Sequence, residues 1–133
     1  MVGMGELTTL QRYHTMELPC EIASREILPS IRAAIVRYLV EERGLSKYSV
    51  AKIMGLTPAA VTYYLKGKRG NPELEAKLLD EPRYREIIVK IADMILNAWR
   101  EGFKQGVYSR YKKMVCVLCA SFNPRAQEAG CPH

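Results

Sequence analysis

Between Lys47 and Lys66 the chain reads KYSVAKIMGLTPAAVTYYLK, and this stretch constrains the fold more than any other. Ser46 is placed to cap a helix over Lys47 to Met54. Thr57 is placed to cap a second helix that starts at Pro58, a first position where the missing N–H costs nothing, and runs to about Lys66. Gly55 stands between them, at a turn position that favours φ > 0. Ala51 falls where the two helices cross, and a larger side chain there would push them apart. Val50, Met54, Leu56, Val61 and Leu65 take the apolar positions expected to bury against the preceding helix. Thr57, Ala59, Thr62, Tyr63 and Lys66 are left facing outward.

The flanking segments also carry helical periodicity. Pro19 to Ser24 reads as a short helix start, and Pro29 is expected to open a separate helix. In that helix Ile31, Ala34, Ile35, Tyr38 and Leu39 share a face, and Gly44 closes it. Pro72 to Leu79 gives a fourth short helix, ended by Pro82. The longest regular stretch runs from about Tyr84 to Arg100. Its apolar stripe is Ile87, Ile88, Ile91, Met94, Ile95, Ala98 and Trp99. No segment reads as a strand, so the expected class is all-α. Its expected parts are a flexible arm over 1–17, a domain over 18–81, a long helix and basic segment over 82–113, and a cysteine-rich tail over 114–133.

Charge divides unevenly along the 133 residues. The net charge of +6 is built from −2 over 1–42, +6 over 43–69, −3 over 70–82 and +5 over 83–113, with the remainder balanced. No acid occurs from Arg43 to Asn71, so the expected partner of that block is anionic. With an outward polar helix, this composition suits the major groove of double-stranded DNA, about 12 Å wide. The second basic block interleaves Lys104, Arg110, Lys112 and Lys113 with Tyr108 and Tyr111. It reads either as a solvated linker or as an RNA-binding or protein-interaction surface. Nucleophile-elbow, phosphate-loop, dinucleotide and zinc-protease motifs are all lacking, so no enzyme is expected. The absence of a secretory pattern at Met1 to Glu6 and of any long apolar run points to a cytoplasmic protein with no membrane partner. Only three Asn and three Gln occur, a composition found in thermophiles.

The chain resembles the phage-repressor and Cro type (XRE-type) of DNA-binding domain, without a gap from Val50-Ala51 through Met54-Gly55 to Leu65-Lys66-Gly67. The wider string from Pro19 to Gly70 is more closely similar to archaeal helix-turn-helix transcriptional regulators. Some of those carry a thiamine-phosphate-synthase-like domain, for which 133 residues are expected to leave no room. The resemblance implies a Cro/repressor-like domain of four to five helices with helix 58–66 in the major groove of duplex DNA. It further implies that Lys47 reaches a phosphate and that Thr57 offers its hydroxyl and N–H groups to another. Pro58, Ala59, Thr62 and Tyr63 would face base edges. Pro58 departs from the phage pattern, which often has an amide side chain there. It cannot donate, so readout would rest on Thr62, Tyr63 and Lys66, with Ala59 against a thymine methyl. Lys66, Lys68 and Arg69 lie in a glycine-flanked loop suited to following the phosphate backbone.

Regulators of this type usually bind as homodimers. Residues 83–102 are the expected dimer surface, with Trp99 as anchor, against the simpler reading that the stripe is core. Near the C-terminus, Cys116-Val-Leu-Cys119 precedes Cys131-Pro132-His133 by eleven residues. Two thiolates from one tight turn and a Cys-x-His pair could complete a zinc tetrahedron. The same residues could hold an iron–sulfur cluster or form disulfides. A structural zinc would make the tail a clip, whereas a cluster or reactive thiols would make it a candidate sensor of metal or redox state. Cys20, standing apart, is expected to be a small buried residue.

Overall fold

A computed structural model of the chain describes residues 18–123. Among them every regular element is helical and none is a strand. Helix α1 covers 19–42, α2 Lys47–Met54, α3 Pro58–Leu65, α4 Pro72–Asp80, α5 Pro82–Glu101 and α6 Val107–Phe122. None of these helices is long and apolar enough to cross a membrane. The arm expected over 1–17 lies outside the described residues, as does 124–133.

The separate helix start expected at Pro29 does not occur. Helical structure begins at Pro19 and runs through Pro29 without a break, because the turn before it is widened. Ala23–Ile27 is π-helical, and the Leu28 N–H reaches back five residues to the Ala23 carbonyl. A proline ring inside a regular helix collides with the carbonyl four residues earlier and leaves a hydrogen bond unmade. The added residue moves that carbonyl aside, which is a common setting for such bulges. The buried Ser30 hydroxyl then donates to the Glu26 carbonyl at 2.7 Å.

A second difference lies at the other end of the molecule. The basic segment and the first cysteine pair, expected as linker and tail, form the single helix α6. Val107, Tyr111, Met114, Leu118 and Phe122, three or four residues apart, are the positions that turn inward. Lysines and arginines occupy the other faces.

Helix α1 is the axis of packing. Its buried Ile31, Ala34, Ile35 and Leu39 join Val50, Val61, Leu78, Ile88, Ile91 and Leu118 from the five other helices in one core. The α5 stripe is mostly part of this core: Ile88, Ile91 and Ala98 are buried, and Ile87, Met94 and Ile95 half-buried. Trp99 is the exception, at 47% exposed. The Asn123 side-chain amide donates to the Pro19 carbonyl at 2.8 Å, and the Tyr84 and Phe122 rings meet at 4.8 Å between centroids. The end of α6 is thereby tied to the start of both α1 and α5. Cys20 is exposed rather than buried, since Ile22 and Ala23 take the inward positions of that first turn.

Candidate nucleic-acid interface

The turn between α2 and α3 is set by local chemistry. Ser46 Oγ accepts from the Ser49 N–H at 3.1 Å, which caps the start of α2. At its other end Gly55 adopts φ +67°, and the next N–H, that of Leu56, returns to the Ala51 carbonyl at 2.8 Å. This is the hydrogen-bond pattern of a left-handed helix terminus, which a residue with a Cβ adopts only at a cost. Two residues later Thr57 Oγ1 accepts from the Ala60 N–H at 3.1 Å and starts α3. The end of α3 closes in the same way: Lys68 N–H donates to the Tyr63 carbonyl at 2.9 Å and Gly67 N–H to that of Tyr64 at 3.1 Å. Both ends of the two short helices are thus capped by residues of the segment itself.

The burial pattern of α3 separates two faces. Ala60, Val61 and Tyr64 are buried, whereas Thr57, Pro58, Ala59, Tyr63 and Lys66 are exposed and Thr62 is half-buried. Lys47, at the first position of α2, and Lys68 and Arg69, beyond α3, are also exposed. The structure gathers three of these residues. Lys68 Nζ and the Arg69 guanidinium each lie 5.8 Å from the Tyr63 ring centroid, and Arg69 stands at the same distance from Tyr64. Contacts of this kind steer flexible cations, at about 0.5–1 kcal/mol each when exposed. They hold two positive charges against the exposed end of α3. On α2, Lys52 lies 5.6 Å from the ring of the exposed Tyr48. This second cation–aromatic pair is not singled out by the helix pattern, although its four-residue spacing is visible in the sequence.

What orients α3 within the fold is a set of contacts from elements distant in sequence. Arg37 of α1 donates through Nε to Glu75 of α4 at 2.6 Å, through Nη1 to Glu41 at 3.0 Å, and through Nη2 to the Leu65 carbonyl, the last of α3, at 2.9 Å. The Glu75 hydrogen bond is the main cause of the upward shift of the Arg37 guanidinium from its already high ordinary value. Glu75 is buried. The loop from α3 to α4 is anchored nearby, where the Asn71 N–H donates to Ser30 Oγ at 2.8 Å. Asn71 Oδ1 in turn accepts from the Glu73 N–H at 2.9 Å and caps α4. At Gly70 (φ +82°) a Cβ would stand 3.0 Å from the Ser30 Cα and backbone nitrogen. The cationic loop therefore sits directly on the backbone of α1.

The expected metal ligands are only partly within view. Cys116 and Cys119 are half-buried on α6 and three residues apart, so the pair lies on a helix and not in a tight turn. Cys119 packs against the core. Among the described residues no group of three His, Cys, Asp or Glu suits a metal ion. Cys131 and His133 lie outside them. Of the four expected ligands the described residues include two, Cys116 and Cys119, half of a tetrahedral donor set.

No protein-family model, no curated protein and no solved structure matches the chain.

Proposed function

We propose that α2 and α3 form a helix-turn-helix of the Cro/repressor-like kind, and that the chain belongs to the class of proteins that read duplex DNA through the major groove. Within that class our reading is a homodimeric, sequence-specific transcriptional regulator with α3 as recognition helix. The observation that carries it is the two-sided α3: one face locked in the core, the other exposing Thr57, Ala59, Tyr63 and Lys66 within a run of six cations and no carboxylate. In this reading Lys47, Lys68 and Arg69 contact phosphates and Thr57 meets another at the helix start. Its hydroxyl oxygen is engaged by Ala60, which leaves the hydroxyl proton to donate. Thr62, Tyr63 and Lys66 face base edges, with Pro58 and Ala59 as apolar contacts.

The test is to select duplexes from a random pool and titrate the winners by fluorescence anisotropy. Tyr63→Ala and Thr62→Ala should each lose about 1–3 kcal/mol on the selected duplex and much less on random DNA. Lys68→Ala should weaken both and lower the slope of log K against log salt by about one. Equal losses on both duplexes for Tyr63→Ala would remove it from base readout, and a pool that never enriches would overturn the reading. Single-stranded RNA competing better than duplex would favour the second basic block, where Tyr108 is 75% exposed among Lys104, Arg110 and Lys112. The C-terminal cysteines enter this reading either as a structural zinc clip or as an iron–sulfur or thiol sensor that adjusts the dimer. The metal content and visible spectrum of protein purified without oxygen decide between the two.

A further inference from the structure

An apolar cleft of about 250 Å³ opens between the end of α2 and the α5–α6 hairpin, beside the turn that leads to α3. Ile53 and Met54 form one wall, and Met94, Ile95 and Ala98 of α5 another. Phe103, Val107, Tyr108 and Tyr111 close the far side. Among the described residues its single charged lining residue is Arg32, exposed on α1 and without a hydrogen-bond or ion-pair partner there. Among the described residues no carboxylate lines it. A dry cavity of about 150 Å³ already holds benzene, so this one has room for a ring and a short substituent. Apolar walls with one orienting charge are the usual make-up of a small-molecule site. Two methionines among the walls add flexible, polarisable surface that adapts to a ring.

We propose that this cleft binds a small aromatic monocarboxylate, with the ring between Met54, Ile95 and Tyr111 and the carboxylate on the Arg32 guanidinium. Arginine suits that role because its planar fork matches a carboxylate and stays charged at every physiological pH. Tyr108 and Tyr111, which also line the cleft, each carry a hydroxyl able to donate. The position also gives the ligand a consequence. Met54 is the last residue of α2, directly before Gly55, so a molecule packed on it restrains the turn that sets α3 against α2. Occupancy itself does not depend on DNA binding; only the meaning of that restraint rests on the function proposed above.

The probe is phenylacetate, compared with its neutral amide, phenylacetamide, on the full-length protein carrying ¹³C-methyl methionine. Phenylacetate should shift the Met54 and Met94 methyl resonances and saturate at about millimolar concentration. Phenylacetamide should bind roughly threefold to fivefold more weakly, as expected for losing one exposed ion pair. Arg32→Gln, a surface change that leaves the core intact, should bring the acid down to the affinity of the amide and leave the amide unchanged. Ligand should also slow amide exchange at Leu56 and Thr57. Four results would overturn the proposal: silent methionine methyls, equal affinity for acid and amide, an Arg32→Gln variant that binds the acid as before, or Overhauser contacts from those methyls to residues 1–17 or 124–133 in ligand-free protein. All are read without DNA, so failure of the ligand titration is distinguishable from failure of the duplex titration.

Discussion

At the scale of single residues, Arg37 carries more of the arrangement than any side chain on α3 itself. It is the common partner of a buried carboxylate and of the terminal carbonyl of α3. Truncating one member of such a set strands the other, whose desolvation is then uncompensated. Arg37→Ala should therefore destabilise the fold by about 2–4 kcal/mol in urea unfolding. The double variant Arg37→Leu/Glu75→Leu should recover part of that loss, because no charge is then buried alone. A double variant no more stable than Arg37→Ala would show that Glu75 is not the group left stranded. Nothing local in the sequence singles out Arg37. It sits among apolar residues on an amphipathic helix and looks like a solvated position, and its partner Glu75 is 38 residues away.

Glycine-closed turns act at the scale of elements, and two of them separate conformational cost from steric cost. A Cβ at Gly55 would meet nothing within 4 Å, so Gly55→Ala should lose only what a left-handed backbone costs, about 1–2 kcal/mol. A Cβ at Gly70 would meet backbone atoms of α1 at 3.0 Å, and neither side can give way cheaply. Gly70→Ala should therefore cost about 3 kcal/mol or more and also displace Lys68 and Arg69. Urea titration of both variants checks the order, and equal losses would contradict the close packing at Ser30. Elements also show where pattern reading stops short. The inward residues of α6 recur at helical spacing, but Tyr111, Met114 and Leu118 each lie beside a lysine, arginine or cysteine, and the chemistry of those neighbours suggests a linker and a metal tail. At Pro29 the rule that proline opens helices is overridden by a π-helical turn, which makes room for the ring inside a continuing helix.

For the molecule as a whole, charge pairs join the end of α1 to the long helix. Arg43 meets Asp93 at 2.7 Å, Tyr38 donates to the same carboxylate at 3.3 Å, and Glu42 pairs with Arg85. The Arg85 hydrogen bond holds the Glu42 carboxyl below its ordinary value. A lowered carboxylate contributes stability above its unfolded pKa and loses it as pH falls through the folded one. Glu42→Gln should accordingly melt below wild type at neutral pH, with the gap closing as acid protonates Glu42 in the folded protein, and by a margin that shrinks in high salt because the pair is exposed. A gap that persists in acid would assign the effect to packing. Assembly belongs to this scale too. Trp99 is exposed although most of its stripe packs on the core, and Phe103, 76% exposed, follows four residues later. If α5 is the dimer surface, sedimentation should give a dimer at tens of micromolar, and Trp99→Ala should weaken it by about 2 kcal/mol or more. A monomer both with and without DNA would leave Trp99 without that role.

Several things were already determined by the sequence alone: the all-helical class, the bounds of α2 and α3, the two capping residues and the left-handed Gly55. These depend on interactions within four or five residues, where propensity, capping and periodicity act directly. The outward polar face and the acid-free block from Arg43 to Asn71 were legible for the same reason. The tertiary structure alone decided the continuity of α1 through Pro29, the single helix from Val107 to Phe122, and the exposure of Cys20 and Trp99. It also decided the Arg37 contacts behind α3 and the cleft beside its turn. The burial pattern of α6, the Arg37 contacts and the cleft depend on residues tens of positions apart, and a side chain becomes buried, paired or exposed only when the whole chain has chosen what to pack against it.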